Sequence, residues 1–297
     1  MNLLKKNSLK DILFIFWLYT LLVILWGAWV RISHSGDGCG NHWPLCGGTL
    51  VPTENLQKTW IEYFHRMMSG LYGIFVIILY FKIKKMKFSK WTHRLNLALF
   101  FLMISEALLG AILVKKELVT MNDSILRLIV MSFHQLNSFV LTGVTFLLYY
   151  FIKHENSLMQ DAKSHDSKIQ QQHWLLILFL ILPITGAIAA LSTTLFPTIS
   201  LWQGIAEDFQ HNSHLFIRLR VLHPAFALIT TTTFISWCFY NGRSRLGGEF
   251  LIALAVGVIT LLTLSPTALK LTHLLIAHLL WARVLQLWAS LPDSSKR

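Results

Sequence analysis

Residues 12–30 read Ile-Leu-Phe-Ile-Phe-Trp-Leu-Tyr-Thr-Leu-Leu-Val-Ile-Leu-Trp-Gly-Ala-Trp-Val, nineteen residues without a charge. A hydrocarbon core about 30 Å thick needs about 20 apolar residues in a helix. This stretch therefore reads as a membrane span, and the pattern recurs. Further spans are expected at about 61–81, 95–114, 128–152, 174–193, 216–240, 249–264 and 268–290, with Glu106 inside the third. Backbone groups in lipid must find their partners internally. The expected fold is an all-α integral membrane protein of eight transmembrane helices, with no sheet.

The rest of the chain agrees. Of 297 residues 54% are apolar and only 13% charged, and the mean hydropathy is +0.55. A soluble fold of this size has too little interior for that much apolar surface. With three cysteines the chain is no disulfide-dense secreted scaffold. The net charge of +12 does not point to nucleic acid, because the charges cluster in short segments between apolar runs. With the N-terminus inside, 16 Lys and Arg fall on the inner side and 9 on the outer side, and only Arg283 lies within a span. That bias places both termini in the cytoplasm. The first span lacks a small-residue cleavage site and reads as retained rather than as a signal peptide. There is no long Arg- and Ser-rich transit segment, which points to a bacterial plasma (inner) membrane.

Two outer loops are long, about 32–60 and 194–215, and the other two are short. Long, short, long, short suggests a duplication. Gly27 precedes His65 by 38 residues, and Gly186 precedes His223 by 37. Two pseudo-symmetric four-helix bundles follow: an N-terminal half at 1–155, a cytoplasmic linker at 156–172 and a C-terminal half at 173–297.

Five of thirteen histidines lie within spans: His65, His134, His223, His273 and His278. Ionisable groups in a membrane usually face the bundle interior. His65, His134, His223 and His273 all fall in the outer leaflet, two per half and each on a different helix. Two imidazoles facing each other across a bundle are an axial ligand set for a haem iron. A lone membrane histidine can instead simply bond a neighbouring helix; four at matched depth argue for ligation. His278 lies about 140° round the helix from His273 and about 7.5 Å deeper. The two cannot serve one iron; matched depth favours His273, with His278 as the alternative.

The halves also differ. Glu62 stands three residues before His65, whereas Arg220 stands three before His223. A carboxylate beside one histidine pair suggests that the first half holds the haem being changed and the second a permanent electron-transfer haem. The plainer reading of Glu62 is an ion pair with Arg66. Arg31, Arg66, Arg127, Arg218 and Arg220, near outer helix ends, are candidates for pairing haem propionates, or simply interfacial. Cys39 and Cys46 lie in the first outer loop, on an oxidising face, and a disulfide between them is expected. Cys238 reads as packing. No dinucleotide fingerprint or phosphate loop is present.

These residues resemble a family. Gly27-Ala28-Trp29-Val30-Arg31, Ser35-Gly36-Asp37-Gly38-Cys39, Trp43-Pro44-Leu45-Cys46 and Glu62-Tyr63-Phe64-His65-Arg66 look like the first half of haem A synthase. Ser132-Phe133-His134-Gln135-Leu136 resembles the region of that half's second histidine. Thr185-Gly186-Ala187, Phe196-Pro197 and the run from Pro266 to His273 resemble the second half more loosely. Pro224 departs from the pattern, since the family usually has Arg after that histidine, and it is expected to shift the helix.

The resemblance implies an oxidoreductase that oxidises a ring methyl of haem O to a formyl group, giving haem A for terminal oxidases. It implies a haem b cofactor on His223 and His273, and substrate haem near His65 and His134 with Glu62 acting on it. It also implies an external electron donor, and haem O synthase and oxidase assembly proteins as partners within the lipid bilayer. Rival readings are a di-haem membrane cytochrome for electron transfer, a transporter, and a structural or assembly protein for an oxidase.

Overall fold

The computed structural model describes residues 3–53, 55–160 and 173–289. Among them are ten helices, and the only extended pairing is an isolated bridge between Cys46 and Thr49. The helices are α1 (Leu3–Ile32), α2 (Gln57–Lys84), α3 (Lys90–Lys115), α4 (Ile125–Gln160) and α5 (His173–Leu195), then α6 (Leu201–Phe209), α7 (Leu215–Arg220), α8 (Leu222–Tyr240), α9 (Ser244–Leu262) and α10 (Thr267–Ala289). Eight segments are long and apolar enough to cross a membrane, with α7 and α8 together making the sixth. This is the expected all-α membrane protein. Most of the linker assigned to 156–172 lies outside the described residues.

Two departures from the expected spans have local causes. The sixth span breaks at Val221. Pro224 has no N–H to return to the carbonyl of residue 220, so the helix parts one turn before it. Pro224 then sits in the first turn of α8, where no such bond is required. Inside the second outer loop, α6 forms behind Ser200, whose side chain accepts the Gln203 N–H at 3.3 Å.

The helices close two rings in the same order. In the first half α1 packs on α2, α2 on α3, α3 on α4 and α4 on α1. In the second, α5 packs on α7 and α8, α8 on α9, α9 on α10 and α10 on α5. This arrangement is consistent with a duplication. The rings meet where α4 touches α5 and α10, and where α1 touches α10. In its apolar window α4 is 61% buried against 11% for α3, which makes α4 the central strut.

In lipid, helices associate by close packing rather than by hydrophobic drive. The seam shows how. A Cβ at Gly143 of α4 would overlap the Trp281 ring of α10, so the small residue lets the two helices approach. Trp281 stacks on Phe179 of α5 (5.5 Å, 7°) and on Phe139 of α4 (5.3 Å, 21°). Such aromatic contacts are worth about 0.5–1.5 kcal/mol each beyond burial. A second aliphatic cluster, including Leu9, Leu13, Val76, Leu99 and Leu148, fills the first half. Glu155 of α4 accepts the Ser89 N–H and the Thr92 hydroxyl (2.8 Å), tying α4 to the start of α3.

Candidate functional site

Each of the four histidines expected in the outer leaflet lies against a glycine on the preceding membrane-spanning segment. A Cβ built on Gly27 of α1 would stand 2.8 Å from the His65 ring, and one on Gly186 of α5 3.2 Å from His223. On Gly257 of α9 it would stand 3.0 Å from His273, and on Gly110 of α3 3.9 Å from His134. Gly27, Gly186 and Gly257 thus leave room that a side chain would fill, whereas a Cβ at Gly110 would meet His134 only in ordinary van der Waals contact.

The second-half pair can be measured. The His223 and His273 rings stand 6.2 Å apart at 77°. Two imidazoles bonded at about 2 Å to opposite faces of one metal ion have centroids about 6 Å apart. The centroid separation matches that of two imidazoles sharing one iron. His223 Nδ1 lies 3.2 Å from the Thr185 hydroxyl, which leaves Nε2 for a metal. In the first half, His65 and His134 lie within electrostatic range of each other.

His278 is placed differently. It is 1% exposed, its ring lies 4.9 Å from Phe139, and both its nitrogens lack a hydrogen-bond partner among the described residues. It belongs to the aromatic seam between α4 and α10. For His65, His134 and His273, by contrast, only Nδ1 is a buried atom without an in-line partner.

Glu62 is buried and doubly engaged. Oε1 accepts from Arg66 at 2.6 Å, and Oε2 accepts the Cys39 N–H at 2.7 Å. Arg66 also donates to the carbonyls of Gly40, His42 and Leu45. The ion pair expected on the plainer reading is present, and it pins the first outer loop over α2. That loop is closed by the Cys39–Cys46 disulfide. So short a loop gives a stabilisation of about 2–3 kcal/mol. We expect Cys39→Ser to lower unfolding stability by about that amount, and alkylation followed by mass spectrometry without reductant to find neither wild-type thiol free. Ready labelling of both thiols would contradict it. Cys238 is buried, as packing requires.

Arg220 plays the matching part in the second half. It pairs with Asp208 and donates to the Gly204 carbonyl at 2.8 Å, which holds α6 against α7. Burial pushes the Asp208 carboxyl up, and the Arg220 guanidinium opposes the shift. Arg127 donates to the carbonyls of Thr120 (2.8 Å) and Asn122. Of the five propionate candidates Arg31, Arg66, Arg127, Arg218 and Arg220, three (Arg66, Arg127 and Arg220) are engaged with protein groups. The half-buried Arg31 at the end of α1 has no hydrogen-bond partner for its Nε among the described residues.

One residue was not singled out by sequence. Glu106 of α3 reaches His134, its Oε1 lying 3.2 Å from His134 Nδ1. Its other oxygen accepts from the Asn137 amide at 2.6 Å.

The chain matches the family model described as cytochrome oxidase assembly protein over residues 10–285. It is 31% identical over 281 residues to protoheme IX farnesyltransferase of Thermus thermophilus, covering 89% of this chain and 45% of that one. It therefore spans less than half the length of that relative. Haem A synthase of Alkalihalophilus pseudofirmus is 45% identical over 92 residues, and that of Halalkalibacterium halodurans 40% over 92 residues, in each case 31% of both chains. With the family model covering nearly its whole length, the chain belongs to the cytochrome oxidase assembly protein family.

Proposed function

We propose that this protein is a haem A synthase, a membrane oxidoreductase that converts a ring methyl of haem O to a formyl group through successive hydroxylations and loss of water. What carries this reading is the 6.2 Å separation of His223 and His273 within a fourfold glycine–histidine pattern. The likeness to two haem A synthases supports it. The name of the Thermus relative describes farnesyl transfer to protohaem IX. It supports placing this chain beside such a step, with a haem O synthase and oxidase assembly proteins as partners.

In this reading His223 and His273 hold a haem b, which supplies electron transfer. His65 and His134 hold the substrate haem by its iron. Glu62 lies one turn from His65 and is the acid, base or cation stabiliser for the reacting methyl. Arg31 is free to pair a propionate. Electrons come from an external donor. The chain sits in a bacterial plasma membrane with both termini cytoplasmic.

The test is to express the chain in cells that make haem O but no haem A, and to chromatograph the extracted haems. Haem A should appear as haem O falls. Two bound haems with no haem A would replace the reading with a di-haem electron carrier. The glycine cradles give a second test. Val at Gly27 puts carbon where the His65 ring lies, so Gly27→Val should abolish haem binding in the first half while the second-half spectrum stays. An unchanged first-half spectrum would show that the cradle does not matter.

A further inference from the structure

The four glycine–histidine contacts offer four equivalent places to compare. Four residues before each glycine, on the same helix face, stand Val23, Glu106, Leu182 and Ala253. Three are apolar. The fourth is a carboxylate inside the membrane, 3.2 Å from the Nδ1 atom of the histidine its own glycine receives. In the second half the nearest equivalent is a neutral hydroxyl, Thr185, at 3.2 Å from His223. His65 and His273 have no hydrogen-bond partner at Nδ1 among the described residues.

A membrane carboxylate is expensive and is kept where it has partners. Glu106 has them. The Asn137 amide donates to Oε2 at 2.6 Å and to the Leu102 carbonyl at 2.9 Å, and the Asn137 carbonyl accepts from Ser105 at 2.8 Å. Asn137 lies three residues after His134 on the same face of α4. The network thus fixes the carboxylate beside the imidazole from two helices. The Nδ1–H is not in line with Oε1 in this structure, and the bond requires the ring to turn toward it.

We propose that Glu106 is the positioning residue for His134: it accepts the Nδ1–H, holds Nε2 toward the substrate iron and makes this axial ligand the most electron-rich of the four. The inference rests on the haem-ligand reading of the preceding subsection. A ligating histidine that donates its other N–H to a carboxylate is fixed in tautomer and orientation, and its basicity rises. A more basic axial ligand favours the ferric state and lowers the reduction potential. Glu106 therefore sets the two haems apart, giving the first-half haem the lower potential of the pair. Glu62 has no part in this, since its oxygens are directed at Arg66 and the Cys39 amide.

The experiment uses the full-length purified protein loaded with ferric protohaem as the probe, read by redox titration and low-temperature EPR. Glu106→Gln keeps shape and removes charge. It should raise the potential of one haem by about 59 mV, a tenfold change in its ferric–ferrous ratio, and move the g values of one low-spin signal only. Glu106→Asp, which withdraws the charge by one methylene, should give a smaller shift of the same sign and serves if the first variant does not accumulate. His134→Ala runs alongside. If it removes one bis-histidine signal while both Glu106 variants leave that signal and its potential untouched, the positioning role is overturned. An equal shift of both haems also overturns it. If His134→Ala leaves both signals intact, the ligand assignment itself fails.

Discussion

Replacing His273 with alanine should abolish the low-spin haem b spectrum of the second half, whereas His278→Leu should leave it intact. Outer-shell partners of metal ligands already change affinity by about 10–100-fold, so loss of an axial ligand has a larger effect. The geometry explains why the neighbouring histidine cannot substitute. The His223–His273 ring separation of 6.2 Å suits a single iron, and His273 lies in the space left by Gly257. His278 lies a turn and a half further on, against Phe139. Leucine there removes two buried nitrogens without partners, and an unpaired buried polar atom costs about 1–3 kcal/mol. His278→Leu is therefore expected to be as stable as the parent or more so. The check is a pyridine haemochrome assay with an optical spectrum on each purified variant. A normal bis-histidine spectrum in His273→Ala, with loss in His278→Leu, would reverse the assignment.

The membrane fold was legible because lipid leaves few choices: an uncharged run of nineteen residues must be a helix there. The break at Val221 was legible in part, since Pro224 was expected to shift the helix, but not that it would divide it. The helix Leu201–Phe209 was read as loop, although Ser200 and the apolar positions Leu201, Trp202, Ile205 and Phe209 carry the signal. In the site, the matched spacings of 38 and 37 residues marked a repeat, and they prove to be contacts: Gly27 on His65 and Gly186 on His223.

The other two contacts had no such signature. Gly110 and His134 are 24 residues apart, and Gly257 and His273 only 16, because the connecting outer loops differ in length. Glu106 stayed hidden for the same reason. Its place beside His134 depends on the register of α3 against α4, which no local pattern specifies. Arg66, Arg127 and Arg220 were legible as outer-end cations, but their loop partners appear only in three dimensions.

Glu62→Gln should lower haem A formation by about 10²–10⁴-fold, the usual range for a lost acid or base, while haem b and protein level stay unchanged. The structure sharpens this prediction, because Glu62 also has structural work. It holds the Cys39 N–H and the Arg66 guanidinium, and through Arg66 the outer loop. Glutamine keeps an oxygen for one of these bonds and loses the charge and the second acceptor. Arg66 retains its three loop carbonyls, and the Cys39–Cys46 disulfide still closes the loop.

Loosening of the loop and loss of chemistry therefore leave different traces. A loosened loop reduces protein level and haem content together, and Arg66→Lys, which spares the carboxylate, should reproduce it. Loss of chemistry leaves haem b bound and lets haem O or a partly oxidised haem accumulate. The carboxylate is the group suited to that step, since oxidising the methyl builds positive charge or releases protons. Among the described residues no such acid stands beside His223, where Arg220 is committed to Asp208 and Gly204. Haem extraction and chromatography from cells carrying Glu62→Gln, Arg66→Lys and the parent chain decide the matter. Normal haem A from Glu62→Gln would confine Glu62 to its role in holding the loop.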